Sequence, residues 1–283
     1  MPCSTHQIRI VRSDLPAIAA ASPTEPATVA AYLAHLADAG LKASTIARRL
    51  AAIAYAHKLK GLESPTAAEA VHVVMRGIRR KIGTAATGKA PATAKAIAAM
   101  LEHVPDTLIG RRDRAILLIG FAAAMRRSEL VALNVADIEQ RPEGIIVHIR
   151  QSKTDQEGQG AEVPVPRGGQ LKPVEALDAW LAAAGITEGP LFVSIGKGGR
   201  IGRERLSDKS VAEIIKRCAA AAGLDPAIFS GHSLRAGFVT SALEHGADLF
   251  KVMDVTRHRR VETLKGYDRR AKAFRDHAGE GFL

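Results

Sequence analysis

Cysteine is nearly absent from this chain. Cys3 and Cys218 are the only two in 283 residues, too few and too far apart for a disulfide framework or a zinc site. Aromatic residues are also scarce, at 4% with one Trp and three Tyr. No apolar run approaches the length of a membrane span. Arg9 and Arg12 stand ahead of an Ala-rich stretch, but Asp14 and Pro16 interrupt it and leave too short a core for a secretory signal. There is no dense carboxylate cluster of the kind that gathers Mg²⁺. A cytoplasmic protein with reduced thiols, no metal and no cofactor is therefore expected.

What is present is an ordinary globular composition, 47% apolar and 24% charged, rich in alanine and leaning towards helix. The length suffices for an ample core and suits two domains. The balance is basic, 40 Lys and Arg against 29 Asp and Glu, a net charge of +11. Such an excess suits a polyanion, with nucleic acid the commonest; a merely basic solvated surface is the blander reading. The distribution is more informative. Residues 1–90 hold 12 of the basic and 5 of the acidic side chains, so the excess is concentrated in the first third, as expected if that third grips phosphates.

The first 23 residues show no clear period. Thr24 then precedes a stripe of Val29, Leu33 and Leu36 that stops at Gly40. Ser44 is placed to cap a second helix with Ile46, Leu50, Ile53 and His57 on one face and Arg48, Arg49, Lys58 and Lys60 around it. Thr66 with Glu69 reads as a capping box for a third helix carrying Val71, Val74, Ile78 and Ile82. Arg76, Arg79, Arg80 and Lys81 crowd its end; with Arg48 and Arg49 they are candidates for DNA contact, although cations at the helix end also complement the helix dipole. Residues 84–92 lack an apolar period and contain Gly88 and Pro91. The division expected is a helical DNA-binding domain over 1–86, a linker over 87–92 and a second domain over 93–283. In the second domain helices are predicted near 93–103, 111–124, 171–184, 208–222 and 233–245, with strands at 144–150 and 162–166. Pro164 and Pro166 place the second strand at a sheet edge, and extended stretches around 152–158 suggest a hairpin. The fold class is mainly α with a small β-sheet.

Taken singly, the polar residues of this domain prove little. Arg126 follows the apolar run Ile116–Met125 and can simply pair with Glu129. His232 and Arg235 share a helix face by their spacing of three. Tyr267 can pack or cap a short helix, although Lys265, Arg269 and Arg270 around it favour a phosphate. The set is more telling than its members: Arg126 with Glu129, Lys153 in the hairpin, His232-Ser-Leu-Arg235, His258, and Tyr267 nine residues on. In order and spacing, AMRRSELVAL, SKTD, HSLRAGFVT and RHRRVETLKGY resemble the tyrosine recombinase (phage integrase) family, over about residues 25–280. A phosphodiester is broken by a nucleophile, a protonated leaving group and neutralisation of charge at phosphorus. Arg126 and Arg235 suit the two non-bridging oxygens, since a guanidinium is planar and stays charged.

The resemblance implies a two-domain, DNA-clamping recombinase that is ATP- and metal-independent. Tyr267 is then the nucleophile that forms a 3′-phosphotyrosyl link, and His232 accepts or helps position its proton. Lys153 protonates the departing 5′ oxygen, with Lys172 and Lys197 as alternatives. His258 adds a hydrogen bond to the phosphate, and Glu129 orients Arg126 or a histidine. Arg257 and Arg259, with Arg260, are candidates for the DNA backbone, or for a solvated face. The implied partner is duplex DNA with paired sites, held by a homotetramer of protomers that are monomers when free, with no membrane. Two alternatives stand beside it: a non-catalytic DNA-binding protein of the same fold, and a type IB topoisomerase. The chain departs from the family in two places. No aromatic-rich first helix is evident in residues 1–23, and Val-Thr-Arg257-His258 stands where Leu-Gly-His is common.

Overall fold

The computed structural model describes residues 24–84, 88–150 and 160–271. The chain divides into two compact units, Met1–Thr87 and Gly88–Leu283. No helix among the described residues is long and apolar enough to cross a membrane.

The first unit is a small helical core. Helix α1 (Pro26–Asp38) buries Val29, Tyr32, Leu33 and Leu36 and ends before Gly40, whose φ of +77° suits a residue without a β carbon. Helix α2 (Ala43–Leu59) turns Ile46, Ile53 and His57 inward. Helix α3 (Glu69–Ile82) turns in Val71, Met75 and Ile78. The faces follow the sequence pattern except at Ile82, which is exposed at the end of α3, and two expected starts differ. Ser44 is the second residue of α2, whose N-cap is Lys42 with no side-chain bond. The Thr66–Glu69 capping box is not formed. Pro65 starts a 3-10 turn over Pro65–Ala67, capped by Ser64, and α3 begins only after Ala68.

The second unit opens with α4 (Ala94–Glu102), capped by Thr93, and α5 (Leu108–Ala122), capped by Thr107. A short α6 (Arg127–Ala132) leads to a three-stranded antiparallel sheet in the order β1 (Ile138–Arg141), β2 (Gly144–Ile149), β3 (Ala161–Pro166). Ile145 pairs with Val165 and Ile149 with Ala161. β3 is an edge strand, so Pro164 and Pro166 leave no ladder donor missing from the interior. The predicted stretch 152–158 lies outside the described residues. Helix α7 (Pro173–Ala184), a β4–β5 hairpin (Val193–Ile195, Ile201–Arg205) and α8 (Asp208–Ala221) follow. The unit closes with α9 (Ser233–Glu244), α10 (Leu249–Thr256) and α11 (Glu262–Ala271).

Two helices are buried on nearly every side. α5 buries an unbroken run from Ala115 to Phe121, and α9 buries Leu234, Arg235, Ala236, Gly237 and Val239. Glycine lets them pack closely. A β carbon on Gly120 would lie 2.6 Å from Leu234 Cδ1, and one on Gly237 would lie 1.8 Å from the carbonyl oxygen of Ala92. Residues 90–92, read from sequence as the end of a linker, are anchored here: the N–H groups of Ala90 and Ala92 donate to the carbonyls of Ile228 and Ser233 at 2.8 and 2.9 Å.

Because the obstacle at Gly237 is backbone, Gly237→Ala is expected to destabilise the second unit by about 1–3 kcal/mol, the usual cost of overpacking. Trp180, the single tryptophan, is fully buried in this unit with Nε1 donating to the Leu191 carbonyl at 2.9 Å. Its fluorescence in a urea titration reports the change in midpoint.

Candidate active site

Three helix ends meet in the second unit, and each carries a guanidinium. Ala124, with φ +46°, turns the chain out of α5 so that Arg126 becomes the N-cap of α6. Glu129, three residues on, accepts the backbone N–H of Arg126 through Oε2 at 2.9 Å and its Nη1 through Oε1 at 2.5 Å. The Glu129 side chain is 2% exposed and that of Arg126 23%. One charge is thus sunk as an anchor and the other keeps a face to solvent.

Arg235 lies in the first turn of α9 and is 2% exposed. Its Nη1 donates to the Ala124 carbonyl at 2.7 Å, its Nη2 to the carbonyl of Thr256 at the end of α10. Neither acceptor is charged. Burial, with Arg126 and Arg257 nearby, pulls the Arg235 pKa down to about 10, so the pocket carries positive charge that its own carboxylate does not cancel.

His258 completes this arrangement. Its Nε2 lies 3.4 Å from Arg235 Nη2 and its Nδ1 2.7 Å from Thr256 Oγ1. A guanidinium only donates, so Nε2 must accept and the proton sits on Nδ1; Thr256 Oγ1 spends its own hydrogen on the Val252 carbonyl at 2.6 Å. His258 therefore faces Arg235. Loss of solvation first, and then Arg235, Arg126, His232 and Arg257, push its pKa to about 4. His232 is the N-cap of α9 with an exposed side chain; loss of solvation and then Arg235 and Arg126 lower its pKa, leaving a neutral ring able to accept a proton.

Tyr267, on α11, rests partly buried against Val239, Leu243, Val252 and Leu264. A phenolate there would raise the pKa of Arg235, so the two side chains share one electrostatic neighbourhood. Hydrogen bonds join Arg126 to Glu129 and Arg235 to His258, and His232 and Tyr267 lie within electrostatic reach of Arg235. Lys153 lies outside the described residues. Lys172 is the N-cap of α7 and lines a cavity with Glu102, Arg114 and Glu175.

Of the residues read as DNA contacts, Arg48, Arg79, Arg80, Lys81 and Arg259 are exposed. Arg49 donates to the Tyr32 hydroxyl at 3.1 Å. Arg76 pairs with Glu69 at 2.5 Å and Lys81 with Asp38 at 3.7 Å. Arg257 differs from all of these: its side chain is 13% exposed and donates to Glu129 at 2.8 Å, so it faces the pocket interior and not a solvated surface. Sequence reasoning missed this and missed Thr256, since neither a backbone carbonyl as ligand nor an inward turn after α10 leaves a mark in residue type. Among the described residues no group of three or more His, Cys, Asp or Glu could hold a metal ion.

Known proteins resemble this chain as follows. The sequence profile of the phage integrase family matches residues 92–273. An integrase/recombinase XerD homolog of Selenomonas ruminantium is 38% identical over 262 residues, covering 90% of this chain and 76% of that protein. Tyrosine recombinase XerC of Corynebacterium efficiens is 31% identical, covering 93% and 81% respectively. Among solved structures, the XerH site-specific recombinase in a post-cleavage complex with palindromic difH substrate superimposes with a TM-score of 0.67 at 16% identity, over 89% of this chain and 70% of that one. The Tn1549 transposon integrase in complex with transposon right end DNA gives 0.63 at 14%, over 88% and 84%. At these identities the structures speak to fold alone.

The histidine geometry makes two checkable statements. Ring ¹⁵N shifts of His258 should show the proton on Nδ1 at pH 7 and a titration midpoint near 4. The unfolded chain binds that proton more tightly than the folded site does. Stability is therefore fully present above the ordinary histidine pKa of about 6.5 and is lost as pH falls from there through about 4. His258→Gln should flatten the profile in that window.

Proposed function

The chain belongs to the phage integrase family, and we propose that it is a site-specific recombinase that cuts and rejoins duplex DNA through a covalent 3′-phosphotyrosyl intermediate on Tyr267. The observation that carries this reading is the charge balance of the pocket: Arg126 and Arg257 pair with one buried carboxylate, Glu129, while Arg235 is held by two backbone carbonyls within electrostatic reach of Tyr267. A scissile phosphate and a developing phenolate are the anions such a pocket lacks.

In this reading Arg126 and Arg235 hold the non-bridging oxygens and stabilise charge as it builds at phosphorus. His232, neutral at pH 7, accepts the phenol proton as the Tyr267 oxygen attacks. The bond to the 5′ oxygen breaks, and Lys153 supplies the proton that oxygen needs. The ester retains the energy of the phosphodiester, so a 5′ hydroxyl from a second duplex can reverse the attack and exchange the strands without ATP. His258 holds Arg235 in place. Residues 1–86 bind DNA, 93–283 catalyse, and Arg48, Arg49, Arg76, Arg79, Arg80, Lys81 and Arg259 meet the backbone. Four protomers act on two paired sites.

The test uses duplexes selected from a randomised pool by binding to the chain, then nicked beside the scissile bond so that the cleaved strand is lost. A covalent adduct should appear on a denaturing gel and be absent with Tyr267→Phe; Arg126→Ala or Arg235→Ala should slow its formation by about 10²–10³. Binding without an adduct would indicate a DNA-binding protein only. Supercoil relaxation without exchange between two labelled duplexes would indicate a topoisomerase.

Affinity should fall linearly on a log–log plot against salt. Removing Arg79 or Arg80 should each reduce the slope by about 0.9 and weaken binding alike on every sequence, as expected for a phosphate contact.

A further inference from the structure

We propose that Arg257 is a positioning residue for strand cleavage, fixing Glu129 and through it Arg126, and that it does not grip the DNA backbone. The inference rests on the recombinase reading of the site. It concerns a residue whose neighbours in sequence, His258, Arg259 and Arg260, give no hint of an inward role.

The position looks unfavourable for arginine. Arg257 caps α10 in the left-handed region, φ +56° and ψ +39°, where a β carbon crowds its own backbone and glycine is at ease. The side chain is then buried: Nη1 reaches the carbonyls of Val255 at 3.2 Å and Ala123 at 3.4 Å, and Nε is buried with no hydrogen-bond partner. Loss of solvation lowers its pKa. An arginine meant for phosphate has no reason to accept strain, burial and an unpaired donor. Arg259 and Arg260, next along the chain, are exposed.

The return is the bond from Nη2 to Glu129 Oε2 at 2.8 Å. Glu129 has two oxygens and three donors. Oε1 takes Arg126 Nη1, while Oε2 takes both the Arg126 backbone N–H and Arg257. Without Arg257, Oε2 keeps only a neutral donor, and the carboxylate can turn both oxygens towards Arg126. That would draw the guanidinium inward as a bidentate fork and away from a phosphate. Arg257 divides the attraction of Glu129, so that Arg126 is oriented without being sequestered. It also joins the ends of α5 and α10, the same two ends whose carbonyls hold Arg235.

The experiment measures single-turnover adduct formation on the nicked duplex at saturating protein, beside duplex affinity and its salt slope. The chains are the unaltered protein, Arg257→Gly, Arg257→Asn, Arg257→Lys, Glu129→Gln and the Arg257→Gly/Glu129→Gln double. Glycine and asparagine both tolerate the backbone conformation and neither reaches Glu129, so a folding defect in one does not remove the test. The expected result is affinity within twofold and an unchanged salt slope, with adduct formation 10- to 100-fold slower for Gly and Asn and partly restored by Lys. The double variant should be no slower than the slower of its two parents, because both changes break one linkage. A backbone contact would instead weaken binding, lower the slope by about 0.9 and leave the saturated rate intact. That outcome overturns the proposal, as does an unchanged rate or a double variant whose loss is the product of the single losses. No adduct with the unaltered chain would sink the recombinase reading itself, and is read separately.

Discussion

A guanidinium at 2% exposure, held by two carbonyl oxygens and no carboxylate, is an expensive object to bury. Arg235 is in that position, with Arg126 and Arg257 close enough to repel it and Glu129 nearby to offset part of that repulsion. Taking one partner from a buried charge ordinarily costs several kcal/mol; here burial first, and then the neighbouring Arg126 and Arg257, bring the Arg235 pKa down to about 10. An anion would complete the arrangement, and the phosphodiester of the proposed reaction suits paired planar donors.

The rest of the second unit keeps those charges from moving apart. α5 and α9 are buried nearly all round and interlock at Gly120 and Leu234, so the carbonyl of Ala124 and the side chain of Arg235 are set by backbone packing and not by flexible loops. α10 contributes its last carbonyl, Thr256, and the histidine tautomer that follows from it. α11 brings Tyr267 against Val239, Leu243 and Val252. Tyr267 is therefore attached through apolar packing while the guanidinium groups are held by polar anchors. Preorganised donors of this kind act on a transition state without reorganising at the moment of reaction.

Much of this was legible in the residues, for identifiable reasons. The apolar stripes of α1, α2 and α3 follow the 3.6-residue period and fall inward as read except at Ile82, exposed at the end of α3, and the Pro-Val-Pro strand lies at the sheet edge where its missing donors do no harm. Helix starts were less legible. Pro65 set up a 3-10 turn that displaced the Thr66 capping box, and Lys42 preceded Ser44 as the N-cap of α2. β1 and the β4–β5 hairpin were missed because Ile-Glu-Gln-Arg and Ile-Gly-Arg-Glu-Arg are too polar to announce strands; tertiary pairing makes them. The candidate side chains were legible as a set because their types and order match a known pattern. The direction in which His258 and Arg257 face was not. It depends on a positive φ at the end of α10 and on two carbonyl oxygens, which any residue type can supply.

The decisive question is which atom of the protein becomes bonded to DNA, and in which polarity. Tandem mass spectrometry of the covalent adduct, after nuclease and protease digestion, answers both. It should find a nucleotide esterified through its 3′ phosphate to the Tyr267 oxygen, with the released strand ending in a free 5′ hydroxyl. A nucleotide on any other side chain, or one joined through a 5′ phosphate, would contradict the central claim.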